Sequence, residues 1–226
     1  MAEANPSHPY HPKDLVIPHY RPNDITALDI LTVMFSGFGV VFVGALLISS
    51  GARRRLSFLD KLSFSWFVLC GFIHMIIEGY FSLYHQTLAN HDFFLGQLWK
   101  EYSLSDSRYL ISDNFTLCME TITAFVEGPA CFLLAYAVMT NKSYRNVLQL
   151  CISLGQLYGD VLYFATGYRD EHKYTSDSHP IYFYFYYLFL NMLWIVIPTI
   201  HIIVSFYRLS NAQACVDSKK VAKKTN

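Results

Sequence analysis

The chain has 226 residues, and its 17 basic and 17 acidic side chains leave no formal net charge, which removes the electrostatic case for a nucleic-acid or broadly acidic partner. It is 53% hydrophobic, 17% aromatic and only 15% charged, where a soluble globular domain carries about 25% charged residues. That deficit excludes an ordinary soluble domain and points to a single membrane-embedded unit.

Residues 1–25 form a polar segment rich in Pro and His (Pro6, His8, Pro9, His11, Pro12). It lacks the charged start and apolar core of a cleavable signal, so targeting falls to the first apolar run. A bilayer-spanning helix needs about 20 mostly apolar residues, and five stretches meet this, which predicts an all-α polytopic membrane bundle. The first covers 26–50 and ends before Arg53, Arg54 and Arg55; the second covers 62–84. The loop 86–113 holds Trp99, Tyr102 and Tyr109 and is amphipathic at Phe93-Phe94-Leu95 and Leu98-Trp99. It is expected on the membrane surface, covering one end of the bundle. The third span covers 115–139, with Asp113 and Asn114 as candidate caps. The fourth, 147–168, is diluted by Gln149, Gln156, Gly159 and Asp160, so a four-span arrangement stays open. The fifth starts at Pro180, a good first-turn residue, and runs to about 209, leaving 210–226 as a basic tail. The domain is therefore 26–209, flanked by the segments 1–25 and 210–226.

Five spans sort the basic residues unequally. Arg53, Arg54, Arg55, Lys61, Lys142, Arg145, Arg208, Lys219, Lys220, Lys223 and Lys224 fall on one side, and Lys13, Arg21, Lys100, Arg108, Arg169 and Lys173 on the other. The positive-inside rule then puts the C-terminus in the cytosol. The ending Lys223-Lys224-Thr225-Asn226 resembles the dilysine retrieval signal of endoplasmic reticulum membrane proteins. Cys70, Cys118, Cys131 and Cys151 lie in spans and Cys215 in the tail, with no C-x-x-C pair; they read as reduced packing residues rather than metal ligands.

The chemistry concentrates in polar residues at membrane depth. His74 and Glu78 stand one helical turn apart on one face of the second span. Ionisable groups are expensive there and mark functional interiors. Burial and a neighbouring imidazole tune such a carboxyl to give and recover a proton. Glu120 and Thr123 share a face of the third span; Glu120 lies roughly 9 Å in from the helix start, too deep for a cap. Glu127 precedes Gly128-Pro129 and either supports a kink or touches a ligand. Asn191 and Trp194 share a face of the fifth span, offering a pocket wall whose indole attracts cations. Asp160 is either a structural acceptor or a site residue. No G-x-S-x-G, zinc spacing or phosphate loop occurs. Proton transfer on an apolar, membrane-dissolved substrate fits this set best, without cofactor or metal. A proton-coupled transporter fits less well, because the chain is short and shows no internal repeat.

At these residues a resemblance emerges. Gly71-Phe-Ile-His74-x-x-x-Glu78-Gly, Leu98-Trp-Lys-Glu-Tyr102, Asp106-Ser-Arg-Tyr109, Asp113-Asn-Phe-Thr-x-Cys-Met-Glu120-Thr-Ile-Thr123, Gly155-Gln-x-Tyr-Gly-Asp160-Val-Leu-Tyr163 and Asn191-x-x-Trp194 closely resemble the EXPERA-domain (emopamil-binding protein) family. The likeness runs from about 66 to 198. It implies a five-helix fold with a cavity opening toward the bilayer, usually a homodimer, in the endoplasmic reticulum or nuclear envelope. It also implies sterol delta-8, delta-7 isomerisation in cholesterol synthesis, binding of cationic amine drugs, and other sterol-synthesis enzymes as partners. Carried over by motif, the catalytic positions are His74, Glu78 and Glu120, and the substrate-binding positions are Tyr109, Thr123, Asn191 and Trp194. Thr123 and Asn191 are expected to hold Glu120 and the proton path. The family also contains non-catalytic sterol- or amine-binding members, which is the alternative reading; retention of all these polar positions favours the enzyme.

Overall fold

In hydrocarbon a backbone without water must satisfy its own hydrogen bonds, so long apolar runs fold as helices. The computed structural model of the chain describes residues 7–52, 55–176 and 179–224, the last two residues as backbone only. Helix α1, Ala27–Ile48, opens on a capping box: the Thr26 hydroxyl accepts from Asp29 N at 3.2 Å, and the Asp29 carboxylate accepts from Thr26 N at 3.3 Å. Helix α2 covers Phe58–Tyr84. It starts four residues before the predicted 62 because Ser57 caps it, accepting from Asp60 N at 3.1 Å. The short α3 is Phe94–Tyr102, α4 is Asn114–Met139 and α5 is Arg145–Arg169. Asp113 caps α4 as expected, accepting from the N–H groups of Phe115 and Thr116 at 3.0 Å each. Helix α6 begins as a π segment, Pro180–Leu190, and continues as the α-helix Asn191–Lys224.

All of these except α3 are long and apolar enough to cross a membrane. The chain is a multi-pass helical membrane protein, and α5, the diluted run, counts among its spans. Helix α2 packs between α1 and α4, while α5 and α6 pack along each other. Helix α1 turns Leu28, Val40 and Leu47 outward, as lipid-facing residues do. Cys70 and Cys131 are buried with Phe67, Leu134 and Ile152 and pack as expected, whereas Cys118, Cys151 and Cys215 are exposed and do not; all five are free thiols. Helix α6 does not stop near 209: residues 210–222 continue it as an exposed polar helix. Arg53, Arg54 and the side chains and residues of the dilysine ending lie outside the described residues.

The segment between α2 and α4 differs from the surface loop expected. It covers one end of the bundle but sinks into it, with Trp99, Lys100, Glu101, Asp106 and Arg108 all buried. Its aromatic residues carry polar tips, and these find partners inside: Trp99 Nε1 donates to Ile77 O at 2.8 Å. The Arg108 guanidinium grips Asp106 through Nε (3.0 Å to both oxygens) and Nη2 (2.6 Å), and its Nη1 donates to Thr166 on α5 at 2.8 Å. The polar N-terminal segment closes over this cap. Tyr10 and Ile17 are buried, Tyr10 donates to Lys100 O at 3.2 Å, and Lys100 Nζ donates to Arg21 O at 2.9 Å.

Candidate active site

Each helix bearing predicted site residues breaks its α-helical ladder at the site. Helix α2 holds the π segment Ile73–Glu78, α4 holds Thr123–Glu127, and α6 holds Pro180–Leu190. Single-turn π segments gather at functional sites, where the extra residue re-aims side chains and loosens backbone bonds. In α4 the interruption ends at Gly128-Pro129, where Pro129 has no N–H to give. A Cβ on Gly128 would lie 2.6 Å from Met75 Cγ and 3.2 Å from His74 Cβ, so this glycine lets α4 approach α2 beside His74.

The polar side chains form one continuous chain of hydrogen bonds. Gln156 on α5 meets His74 Nε2 at 3.2 Å, and His74 Nδ1 meets Glu78 Oε2 at 2.7 Å. The Thr123 hydroxyl donates to the same Glu78 oxygen at 2.5 Å and stands 2.9 Å from Glu120 O and 3.5 Å from Glu120 Oε2. Tyr109, from the cap, donates to Glu120 Oε1 at 2.7 Å. The chain thus links α5, α2, α4 and the cap, and Thr123 bridges the two carboxyl groups. Burial, followed by the nearby Glu120 carboxylate, holds the Tyr109 phenol well above its ordinary pKa, so it remains a donor.

Gln156, which the sequence marks only as a polar interruption of α5, joins the site. Its signal was position: it stands four residues before Asp160, on the same face of an apolar span. When the Gln156 amide donates to Nε2, the His74 proton sits on Nδ1 and points at Glu78. Its Oε1 is buried without a partner, so turning the amide over supplies an acceptor for a protonated Nε2. Gln156 can therefore serve His74 in either charge state.

His74, Glu78, Tyr109, Glu120, Thr123, Asn191 and Trp194 all line a single cavity of about 490 Å³, within the ~300–1,000 Å³ range of small-molecule sites. Its remaining wall is mostly apolar, with Phe35, Phe38 and Phe42 from α1, Trp66 from α2 and Met119 from α4. One expected contact differs. Asn191 does not hold Glu120: its Nδ2 donates to Tyr187 O at 2.7 Å and Tyr102 Oη at 3.0 Å, because the π segment before it leaves carbonyls free. Trp194 packs its ring 5.0 Å from His74 and 5.2 Å from Trp66, steadying the imidazole while facing the cavity. The two undecided acids separate. Asp160 lines the cavity. Glu127 lies behind it, pressed on α5 where a Cβ on Gly155 would come within 2.1 Å of its Oε1.

A chamber of this kind offers an acid–base pair, a second carboxyl and an aromatic wall around an apolar guest. The model of the family EXPERA (expanded EBP superfamily) matches residues 94–205. A 3-beta-hydroxysteroid-Delta(8),Delta(7)-isomerase of Cavia porcellus is 45% identical over 98% of this chain and 97% of its own length. The chain belongs to the EXPERA family. Its likeness to the isomerase of the same name from Rattus norvegicus is 44%, over 98% and 97% of the two chains. A protoglabretal synthase of Ailanthus altissima is 31% identical over 95% and 97%.

Proposed function

We propose that this chain is a sterol isomerase that moves a ring double bond from delta-8 to delta-7. The observation carrying the reading is the hydrogen-bonded chain His74–Glu78–Thr123–Glu120, opening into one apolar cavity. The full-length likeness to proteins named for that reaction supports it.

The chemistry follows from the bond change. A proton is added at C9, the C8=C9 pair becomes a C9–H bond, and a tertiary cation forms at C8. Loss of the C7 proton then closes the C7=C8 bond. No net electron or proton is consumed, so an acid, a base and negative charge near C8 suffice. Glu78, paired with His74, donates the proton, and the emptied pair recovers one. Glu120 is the counter-charge to the cation, fixed by Tyr109 and Thr123, and the Trp194 face adds to it. The two carboxyls share Thr123, so their roles are assigned by position: Glu78 alone contacts the imidazole.

A protonated amine imitates the C8 cation, which makes cationic amines ligands of the same chamber. The charge asymmetry of the loops supports a cytosolic C-terminus, and the family resemblance supports residence in the endoplasmic reticulum membrane and a part in sterol synthesis. A homodimer and other sterol-synthesis enzymes as partners rest on the family resemblance alone.

Purified protein incubated with a delta-8 sterol in deuterated water tests the reaction. Deuterium arriving at C9 as the double bond migrates is the expected outcome; recovery of unlabelled, unmoved sterol would sink it. Glu120→Gln should lower turnover and amine affinity together, and full amine affinity in that variant would separate the two roles.

A further inference from the structure

The mechanism leaves one acid of the cavity unused. Asp160, on α5, is 7% exposed and lines the chamber, yet its Oδ2 is buried without a hydrogen-bond partner. The other two cavity acids are both engaged, Glu78 by His74 and Thr123 and Glu120 by Tyr109. A buried polar group left unpaired costs free energy, and one that lines a cavity can recover that cost by pairing with what the cavity binds.

The placement matches one feature of a sterol. Asp160 stands one α5 turn beyond Gln156, which bonds His74, so it lies about 6 Å along that helix from the residue that meets the proton-transfer pair. A 3β-hydroxysterol is apolar except for its hydroxyl, which sits on the ring adjoining the reacting one. A hydroxyl both donates and accepts, and so can complement a carboxyl in either protonation state. Glu120 is already engaged by Tyr109, and Asp160 offers a second, separate anchor on the same cavity.

We propose that Asp160 binds the substrate's 3β-hydroxyl and so sets the register of the sterol against His74 and Glu78. This assignment rests on the isomerase reading, and it makes Asp160 a substrate-positioning residue.

The test compares a delta-8 3β-hydroxysterol with its 3-deoxy analogue, reading binding and turnover separately. Quenching of the cavity tryptophans Trp66, Trp99 and Trp194 reports binding whether or not chemistry occurs. The wild type should bind the 3-deoxy sterol about 10- to 100-fold more weakly, with the loss appearing mainly in KM. Asp160→Leu should bind both sterols alike, and Asp160→Asn, which keeps a donor and an acceptor, should restore most of the preference. Equal affinity of the wild type for the two sterols would overturn the assignment, even if no variant folds. So would an undiminished preference in Asp160→Leu. Hydroxyl-dependent binding without double-bond migration would instead dismiss the isomerase reading and leave the Asp160 contact standing.

Discussion

The capped end of the bundle and the cavity beneath it both bury polar side chains, but they balance their charges differently. In the cap, Arg108 spends three guanidinium nitrogens on Asp106 and Thr166, and the Lys100 ammonium rests on a carbonyl. Among the described residues, the cavity wall holds the carboxyls of Glu78, Glu120 and Asp160, one imidazole, and no lysine or arginine. A closed, geometrically complete ion pair resists change and carries no chemistry. An acid-rich chamber is incomplete until something cationic or hydrogen-bonding enters it. The same device, burial of charge, therefore builds a lid in one place and a reaction vessel in the other, and Tyr109 joins them.

Substitutions can break this contrast. Glu78→Gln should be the most damaging to function: loss of proton transfer should lower turnover about 10²–10⁴-fold while the melting transition in detergent stays near wild type. A variant that melts far lower but still turns over would place Glu78 with the structural residues. Arg108→Met should behave in the opposite way. It strands Asp106 as a buried, unpaired charge, at a cost of about 3–5 kcal/mol, read as a large fall in melting temperature. An unshifted melt would mean the cap is not what that ion pair holds together.

Smaller changes sharpen the boundary. Tyr109→Phe removes one donor from Glu120 and should reduce turnover about 5- to 30-fold, corresponding to ~1–2 kcal/mol. The melt should move little, and unchanged turnover would detach the cap from the chemistry. Glu101→Gln tests the cap by pH. Burial raises the Glu101 carboxyl above its ordinary value, although the hydroxyl of Tyr186, donating at 3.0 Å, opposes this. The folded protein thus holds that proton more tightly than the unfolded chain does. The associated stability is fully present below about pH 4.3 and is lost as pH rises through the raised folded value. Stability measured across that window should lose this slope in Glu101→Gln; an identical slope would assign it to other groups.

Five membrane helices, the capping residue Asp113, and the polar cavity residues His74, Glu78, Glu120, Thr123, Asn191 and Trp194 were legible from residue order, whereas Tyr109 came only with the family resemblance and the Thr26 cap only with the structure. Hydropathy over 20 positions, capping chemistry and helical spacing are local properties, and an ionisable group in an apolar run announces its own cost. What depended on which helices meet, and at what depth, emerged only from the fold. Gln156 gained its place through His74 on another helix, and Asn191 turned from Glu120 to carbonyls freed by a π segment that no residue pattern signalled. Glu127 and Asp160 looked alike as acids in apolar spans, yet packing put one against Gly155 and the other on the cavity wall. The polar N-terminal segment and the loop after α2 read as surface material until their aromatic and charged tips found partners inside. Composition can set the price of burying a group; only the three-dimensional arrangement of neighbours decides whether that price is met by another side chain or left for a ligand.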